Sequence, residues 1–409
     1  MSDIVILGAG MVGIGTALAL QEAGHAVTVL DRKAPGHETS FGNAGVIQSE
    51  AAEPYAIPRD WTTIWSYLTG RSNDVVWHYR DLPSILMPLW RYFRASARDR
   101  HAVLSQSYAP LIARATGDHD AFIGPAGAQG LIRKTGMAEL YDTARSFDAA
   151  AQEMERMRST WGVRGQLLTG AELRAGEPGL RRTPQGAVLW PDTWSTRDPG
   201  ALVTAYADLF VKRGGEIVLG DAESLRHTAA GWTVRSQGAT LSADHVVVAL
   251  GPWSPDLLSR FGYRIPMVRK RGYHQHFQIP TPLSRPYVIA NAGVVMGSMT
   301  KGLRITTGAE LVRVDAPAQT RQLQRGAQAA AQWVELGEPV GARWFGHRPC
   351  LPDMVPLVGP APRHAGLWFN FGHGHQGLTL GPTTGRILAQ MIAGDGPDGL
   401  QALTPKGRV

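Results

Sequence analysis

Six residues near the amino terminus, Gly8-Ala9-Gly10-Met11-Val12-Gly13, restrict what this chain can fold into more than any other segment. They follow the apolar run IVIL at residues 4–7, which reads as a strand buried on both faces. After them, residues 11–23 suit a helix that packs through Val12, Leu18 and Leu20 and ends at Gly24. HAVTVLD then reads as a second strand ending in Asp31, with Arg32 next. A glycine-rich turn between strand and helix, with an acid about 20 residues on, is a dinucleotide-binding fingerprint. Gly8 permits the tight turn, Gly10 lets a pyrophosphate reach the backbone, and Gly13 lets the helix lie close to the strand. The N–H groups and dipole at the helix start around Met11 and Val12 favour phosphate, and Asp31 suits ribose hydroxyls. One such fingerprint predicts one dinucleotide, with no second nicotinamide-binding unit.

A length of 409 residues predicts two domains. The net charge of +7 comes from 41 basic and 34 acidic residues that are spread out, with no run of five like charges. That pattern predicts a solvated basic surface and no nucleic-acid partner. Cys350 is the single cysteine, which excludes a disulfide framework and fits a reducing, cytoplasmic setting. No run of about 20 apolar residues spans a bilayer, and the apolar start lacks the basic leader of a signal peptide. His373 and His375 sit two apart in a glycine-rich loop without the cysteine or carboxylate spacing of a metal site, so no metal is expected.

TSFGNAGVIQ, residues 39–48, lies just beyond the second strand and carries no charge. Gly42, Ala44 and Gly45 leave room for a bulky ring system, and Ser40 and Asn43 offer hydrogen bonds to phosphate. A second contact loop at this place favours FAD over NAD. Farther on, VVVAL at 246–250 reads as a buried strand opening at Gly251, Pro252 and Trp253. LWFNF at 367–371 reads as another strand, followed by a loop with Gly372, Gly374 and Gly377 and a helix start at 378–384. Backbone N–H groups of such a loop suit the electron-rich carbonyl edge of a reduced flavin.

With these segments in this order, together with RGYH, GHRPCLPDMVPLVG and GHGHQGLTL, the chain resembles the FAD-dependent D-amino-acid oxidase and dehydrogenase family over nearly its full length. Within that family it is similar to the bacterial D-amino-acid dehydrogenase branch. The resemblance implies that residues 39–48, including Val46 and Ile47, pass beside the FAD. It adds Gly346, His373, Leu378 and Thr379 to the cofactor contacts and implies noncovalent attachment, because Cys350 is not at an attachment position. The implied reaction passes hydride from the α-carbon of a D-amino acid to flavin N5. Arg348 matches the position that grips the substrate carboxylate, the alternative being an ion pair with Asp353. Tyr273 and His274 fall in the segment that lines the active site in the family, Tyr273 to bond the carboxylate or close the pocket, while His274 replaces a small residue common in the branch. His375 and Gln376 fall on the pocket loop but depart from the small or apolar residues usual in the branch. A cyclic substrate such as D-proline or hydroxy-D-proline lies within the implied range. So do a glycine- or sarcosine-oxidase-like enzyme using oxygen and, from another class, a non-catalytic FAD-binding electron-transfer subunit. The implied acceptor is a quinone, an electron-transfer protein or oxygen.

The expected architecture is a Rossmann-type α/β FAD-binding domain formed by residues 1–55, 140–258 and 344–409. It is interleaved with an α+β substrate domain, residues 56–139 and 259–343, on a mixed or antiparallel sheet. Residues 60–93 hold Trp61, Trp65, Trp77 and Trp90, with Tyr67, Tyr79, Tyr92, Arg80 and Arg91. This composition fits either the core of the substrate domain or contact with a membrane interface. Membrane-associated relatives imply a peripheral position on the inner face of a bacterial membrane.

Overall fold

The computed structural model describes residues 2–70, 73–78, 81–396 and 398–409. Tyr79 and Arg80 of the tryptophan-rich stretch lie outside these. Strand β1 (Asp3–Leu7), helix α1 (Met11–Glu22) and strand β2 (Ala26–Asp31) form the expected unit. β1 lies between β2 and the strand His245–Val248, parallel to both. Its side chains alternate between two cores: Ile4 and Ile6 enter one, Val5 and Leu7 the other. An apolar run is stable here because both faces of the sheet are covered. Glu216–Thr228 pairs parallel with β2, and Leu367–Phe371 pairs parallel with His245–Val248. Antiparallel strands complete the sheet at Gly231–Ser236 and Thr240–Ala243 on one side and at Leu357–Pro360 on the other.

α1 is buried along nearly its whole length because the helix Gly377–Ala393 covers the side away from the sheet. Glycines set that spacing. A Cβ on Gly15 would stand 2.8 Å from the carbonyl carbon of Gly381, and one on Gly385 would stand 2.7 Å from the carbonyl oxygen of Gly15. The helix Arg98–Ile123 packs on Gly377–Ala393 and places Tyr108, Leu111, Ile112, Ala115 and Phe122 in the same core. His119 bridges Tyr206 Oη and the Leu378 carbonyl, both at 2.9 Å.

The second sheet is mixed and mainly antiparallel, as expected. Its path runs Val75–Trp77, Ala309–Leu311, Val268–Phe277, Gly302–Thr306, Val294–Met299, Tyr287–Ile289, Met137–Tyr141, Gly186–Trp190 and Gln166–Thr169, with Pro339–Cys350 pairing Val268–Phe277. Sheet membership corrects the expected boundaries. The strands Gln166–Thr169 and Gly186–Trp190 join this second sheet, although they fall in the 140–258 segment expected in the FAD domain, and Met137–Tyr141 straddles the expected boundary at 139. Arg98–Ile123 packs on Gly377–Ala393 and joins the core of the first sheet's face, although it falls in the 56–139 segment expected in the substrate domain. Pro339–Cys350 runs unbroken across the expected boundary at 344. The cause is that a buried run such as GAVLW reads the same in either sheet, and its partners lie far away in sequence.

Trp77 is half-buried and packs with Tyr92 and Val268. Trp61, Trp65 and Trp90 are instead 82%, 62% and 55% exposed. Core packing therefore accounts for only part of the tryptophan-rich stretch. Among the described residues, no helix is long and apolar enough to cross a membrane.

Candidate active site

A cavity of about 760 Å³ is lined by the carboxyl ends of the first sheet's strands and by residues of the second sheet. Ligands of open parallel sheets collect at those strand ends. Gly8 has φ +113°, and a Cβ there would meet the Ala249 carbonyl oxygen at 2.5 Å, so the turn admits only glycine. Gly13 packs tighter still, its Cβ position 1.8 Å from the Gly8 carbonyl oxygen. Gly10 faces the cavity.

The starts of α1 and of Gly377–Ala393 meet on the cavity wall. A Cβ at Gly377 would lie 4.0 Å from Val12, and both residues line the cavity together with Met11 and Leu378. Neither first turn holds an acid. The two positive helix ends thus add at one place, which favours an anionic or electron-rich group. Asp31 lines the cavity, its Oδ2 accepting from Ala9 N at 2.6 Å and its Oδ1 from Lys33 N at 3.1 Å. Burial raises its pKa above the usual carboxylate value. Arg32 pairs with Glu38 and lies 4.3 Å from the centroid of the Trp253 ring, beside Gly251.

Residues 39–48 divide between cavity and packing. Ser40, Asn43, Ala44 and Val46 line the cavity. Ser40 Oγ accepts from Met11 N at 3.0 Å, and Asn43 Oδ1 accepts from Gly45 N at 2.8 Å. Gly42 lines the cavity as well, its side-chain position filled by Trp344 on the same wall, whereas the room expected at Gly45 is taken by protein behind the wall. A Cβ on Gly42 would fall 1.7 Å from the Trp344 indole, and one on Gly45 would fall 2.7 Å from the Thr196 carbonyl oxygen and 2.8 Å from Met299. Ile47 is buried in the core. Thr379 accepts from Gln48 N and fastens this segment to the second helix start. Gly13, Gly45, Ile47 and Thr379 therefore build the cavity wall from behind.

Arg348 lines the cavity. Its Nη1 donates to the Gly308 carbonyl at 2.7 Å and its Nη2 to the Thr307 carbonyl at 2.9 Å. The guanidinium lies across Gly272, where a Cβ would stand 2.6 Å from Cζ. The alternative partner, Asp353, is bound to Arg408. Among the described residues no carboxylate pairs with Arg348, so three of its five donors remain for a ligand. Burial holds its pKa below the ordinary guanidinium value. The other nearby arginines are engaged: Arg269 with Asp256, Arg271 with Glu310, and Arg304 with the Phe41 and Asn43 carbonyls.

Tyr273 does not reach the cavity. Its hydroxyl donates to Glu310 and accepts from Gln319 N, and burial and that acid push its pKa up to about 12. His274 does not reach it either, being stacked on Trp344 at 5.1 Å and held near 2 by burial and then by Arg304. Strand alternation explains half of this correction. Lys270 and Gly272 point to the cavity, so Arg271 and Tyr273 point away, while His274 returns to the cavity face under the Trp344 ring. Gly346 lines the cavity beside Trp344.

His373 and His375 both line the cavity. His373 bonds Thr384 Oγ1 at 3.0 Å, and burial pushes its pKa down to about 3. Gly374 N donates to the Pro349 carbonyl at 2.9 Å. His375 meets Tyr55 edge-on at 5.3 Å and leaves Nδ1 buried without a partner. Burial and then the cations Arg348 and Lys270 keep this imidazole neutral. Gln376 sits behind the wall and donates to Gln48 Oε1 at 2.6 Å. Gln48 in turn donates to the buried Glu50. Gln48, at the end of the expected contact segment, lines the cavity, and so do Lys270, Tyr55 and Trp344, which were not expected there. Only Lys270 carried a usable signal, because period two in VRKRGYH separates it from both flanking arginines.

The family model described as DAO, FAD dependent oxidoreductase, matches residues 3–391. A D-amino-acid oxidase of Bradyrhizobium diazoefficiens is 29% identical over 405 residues, covering 97% of this chain and 96% of its own. A D-amino acid dehydrogenase of Cereibacter sphaeroides is 32% identical over 419 residues, covering 97% and 92%. The solved glycine oxidase of Geobacillus kaustophilus aligns with a TM-score of 0.75 at 20% identity over 98% of both chains, a likeness of fold.

Proposed function

The chain belongs to the DAO family of FAD dependent oxidoreductases, and from that premise we propose that it dehydrogenates a D-amino acid to the imino acid, which water then hydrolyses. The observation that carries this reading is Arg348, a cation in the cavity wall whose remaining donors match a planar carboxylate. The residues present fit FAD. Two helix starts and the open backbone at Gly10 suit a pyrophosphate and the flavin edge, while Asp31 suits a ribose. Bound FAD supplies the hydride acceptor, flavin N5. Arg348 fixes the carboxylate and so aims the α-carbon. Arg348 also disfavours a charged ammonium nearby, which leaves the amine neutral with its lone pair available to assist departure of the hydride. Neutral His375, as its Nε2–H tautomer, accepts from that amine at Nδ1.

Anaerobic addition of D- and L-amino acids, D-proline and hydroxy-D-proline to the yellow protein tests this. Bleaching by D-amino acids and not by their L enantiomers supports it, and bleaching by L enantiomers alone, or by none, overturns it. The flavin is held noncovalently in this reading, since Cys350 is buried among Val268, Leu311 and Met354. Acid precipitation should therefore release the colour to the supernatant, and a coloured pellet would count against it.

The electron acceptor in this reading is a membrane quinone or a carrier at the membrane surface. Support comes from the exposed Trp61, Trp65, Leu86, Met87 and Trp90 on the helices Trp61–Leu68 and Leu82–Ala95, with Arg59 over Phe93 at 4.0 Å. Exposed aromatics flanked by arginine suit an anionic bilayer surface. The holoprotein should sediment with phosphatidylglycerol vesicles at low salt and not with phosphatidylcholine. Trp61→Ala with Trp65→Ala should reduce that binding about tenfold. Equal binding by wild type and variant, or none by either, sinks the proposal.

A further inference from the structure

Arg348 has a neighbour of like charge. Strands Val268–Phe277 and Pro339–Cys350 pair antiparallel with Lys270 directly opposite Arg348. Directly opposed residues project to the same face of a sheet, and both of these line the cavity. Lys270 is 8% exposed, with Nζ 4.4 Å from the centroid of the Tyr92 ring. Among the described residues neither cation forms an ion pair. Glu310 is taken by Arg271 and His78, Asp256 by Arg269, and Asp353 by Arg408. Of the further acids that line the cavity, Asp31 accepts from the Ala9 and Lys33 backbone and Glu38 pairs with Arg32 and Lys33. Glu139 accepts from Tyr141 and Trp190, and the Asp74 carboxylate is directed at Gly293.

Like charges set opposite each other on one face destabilise a sheet, and buried charge without a counter-ion is costly. Tyr92 offsets part of this for Lys270 through its ring. A monocarboxylate would satisfy Arg348 and leave Lys270 uncompensated. His375, edge-on to Tyr55 in the same cavity wall, contributes a buried Nδ1 that has no protein partner among the described residues. The wall thus offers two positive groups and one neutral polar atom to a single occupant.

We propose that Lys270 is a specificity-determining residue: with Arg348 it forms a two-cation seat that selects an amino acid carrying a second carboxylate over its neutral isostere. This rests on the reading that Arg348 holds the α-carboxylate. The side-chain carboxylate of a D-aspartate- or D-glutamate-like substrate then pairs with Lys270.

The test compares D-glutamate with D-glutamine, and D-aspartate with D-asparagine, on the FAD-loaded enzyme. Wild type should favour the acid in kcat/KM by about tenfold or more, as expected for one charge-assisted contact. Lys270→Met should erase that preference by lowering the acid's value while leaving the amide within about threefold, and Lys270→Arg should retain it. Succinate and butyrate supply a readout without turnover: succinate should raise the wild-type Tm more, and Lys270→Met should cancel the difference. Equal use of acid and amide by wild type, or an equal loss of both in Lys270→Met, overturns the proposal and leaves the D-amino-acid reading standing. A Lys270-dependent succinate shift with no bleaching by any amino acid supports the two-cation seat and defeats the D-amino-acid reading. No bleaching and no succinate preference defeats both.

Discussion

Arg348→Ala should lower kcat/KM for the preferred D-amino acid about 30-fold to several thousand-fold, with FAD content near that of wild type. The range follows from the cost of leaving one partner of a buried, hydrogen-bonded charge pair alone, about 2–5 kcal/mol, at tenfold per 1.4 kcal/mol. The substitution also strips the Thr307 and Gly308 carbonyls of their donor, so Tm should fall by the equivalent of about 1–3 kcal/mol. Those two losses must be separated. Arg348→Lys keeps a positive charge and can satisfy one of the carbonyls, so it should recover most of the stability. It should recover only part of the activity, because an ammonium cannot reproduce the planar fork. Steady-state kinetics beside thermal denaturation of the holoprotein reads both quantities. Full activity in either variant would make Arg348 a strut for residues 307–308. The carboxylate would then have to be sought at Lys270, since Arg269, Arg271 and Arg304 are engaged elsewhere.

What could be read in the sequence follows the range of the interactions involved. β1, α1 and β2 were legible because the turn, the helix and their close packing are encoded within 31 residues. The strands at 245–248 and 367–371 were legible as buried runs. Their neighbours in the sheet were not, because parallel pairing joins distant segments. The division of residues 137–190 failed for the same reason. Gly42 is more instructive. Its lack of a side chain does mark a close approach, but the approaching group is Trp344 from the second sheet, a contact no local pattern encodes. Arg348 could be located by family resemblance, whereas Lys270 opposite it required strand register. Tyr273 was misplaced although period two alone sets it on the face opposite Lys270.

Two glycines of the first turn allow cofactor binding to be separated from folding, and Gly10→Val should give a folded protein with less than about a tenth of the wild-type flavin. Gly10 has φ −77° and ψ 179°, an extended conformation open to any residue. Of the protein atoms its Cβ would meet, Ser40 Oγ stands at 3.3 Å, a distance that side chain can relieve by a small shift. The branched side chain would instead fill cavity space beside the starts of α1 and Gly377–Ala393, where the pyrophosphate needs the backbone. Gly13→Val is the contrasting case. Its Cβ would fall 1.8 Å from the Gly8 carbonyl oxygen, and backbone against backbone cannot yield without separating α1 from the sheet. That variant should be insoluble or grossly destabilised whether or not FAD is added. Circular dichroism and flavin content after purification distinguish the two. Added FAD provides a third measure, because ligand at 100 times its Kd stabilises the native state by about 2.7 kcal/mol. Wild-type apoprotein should gain a correspondingly higher Tm, and Gly10→Val should gain almost none. If Gly10→Val retains wild-type flavin and the same response to FAD, the cofactor does not lie across this turn, and the anion-favouring wall at the two helix starts serves another ligand.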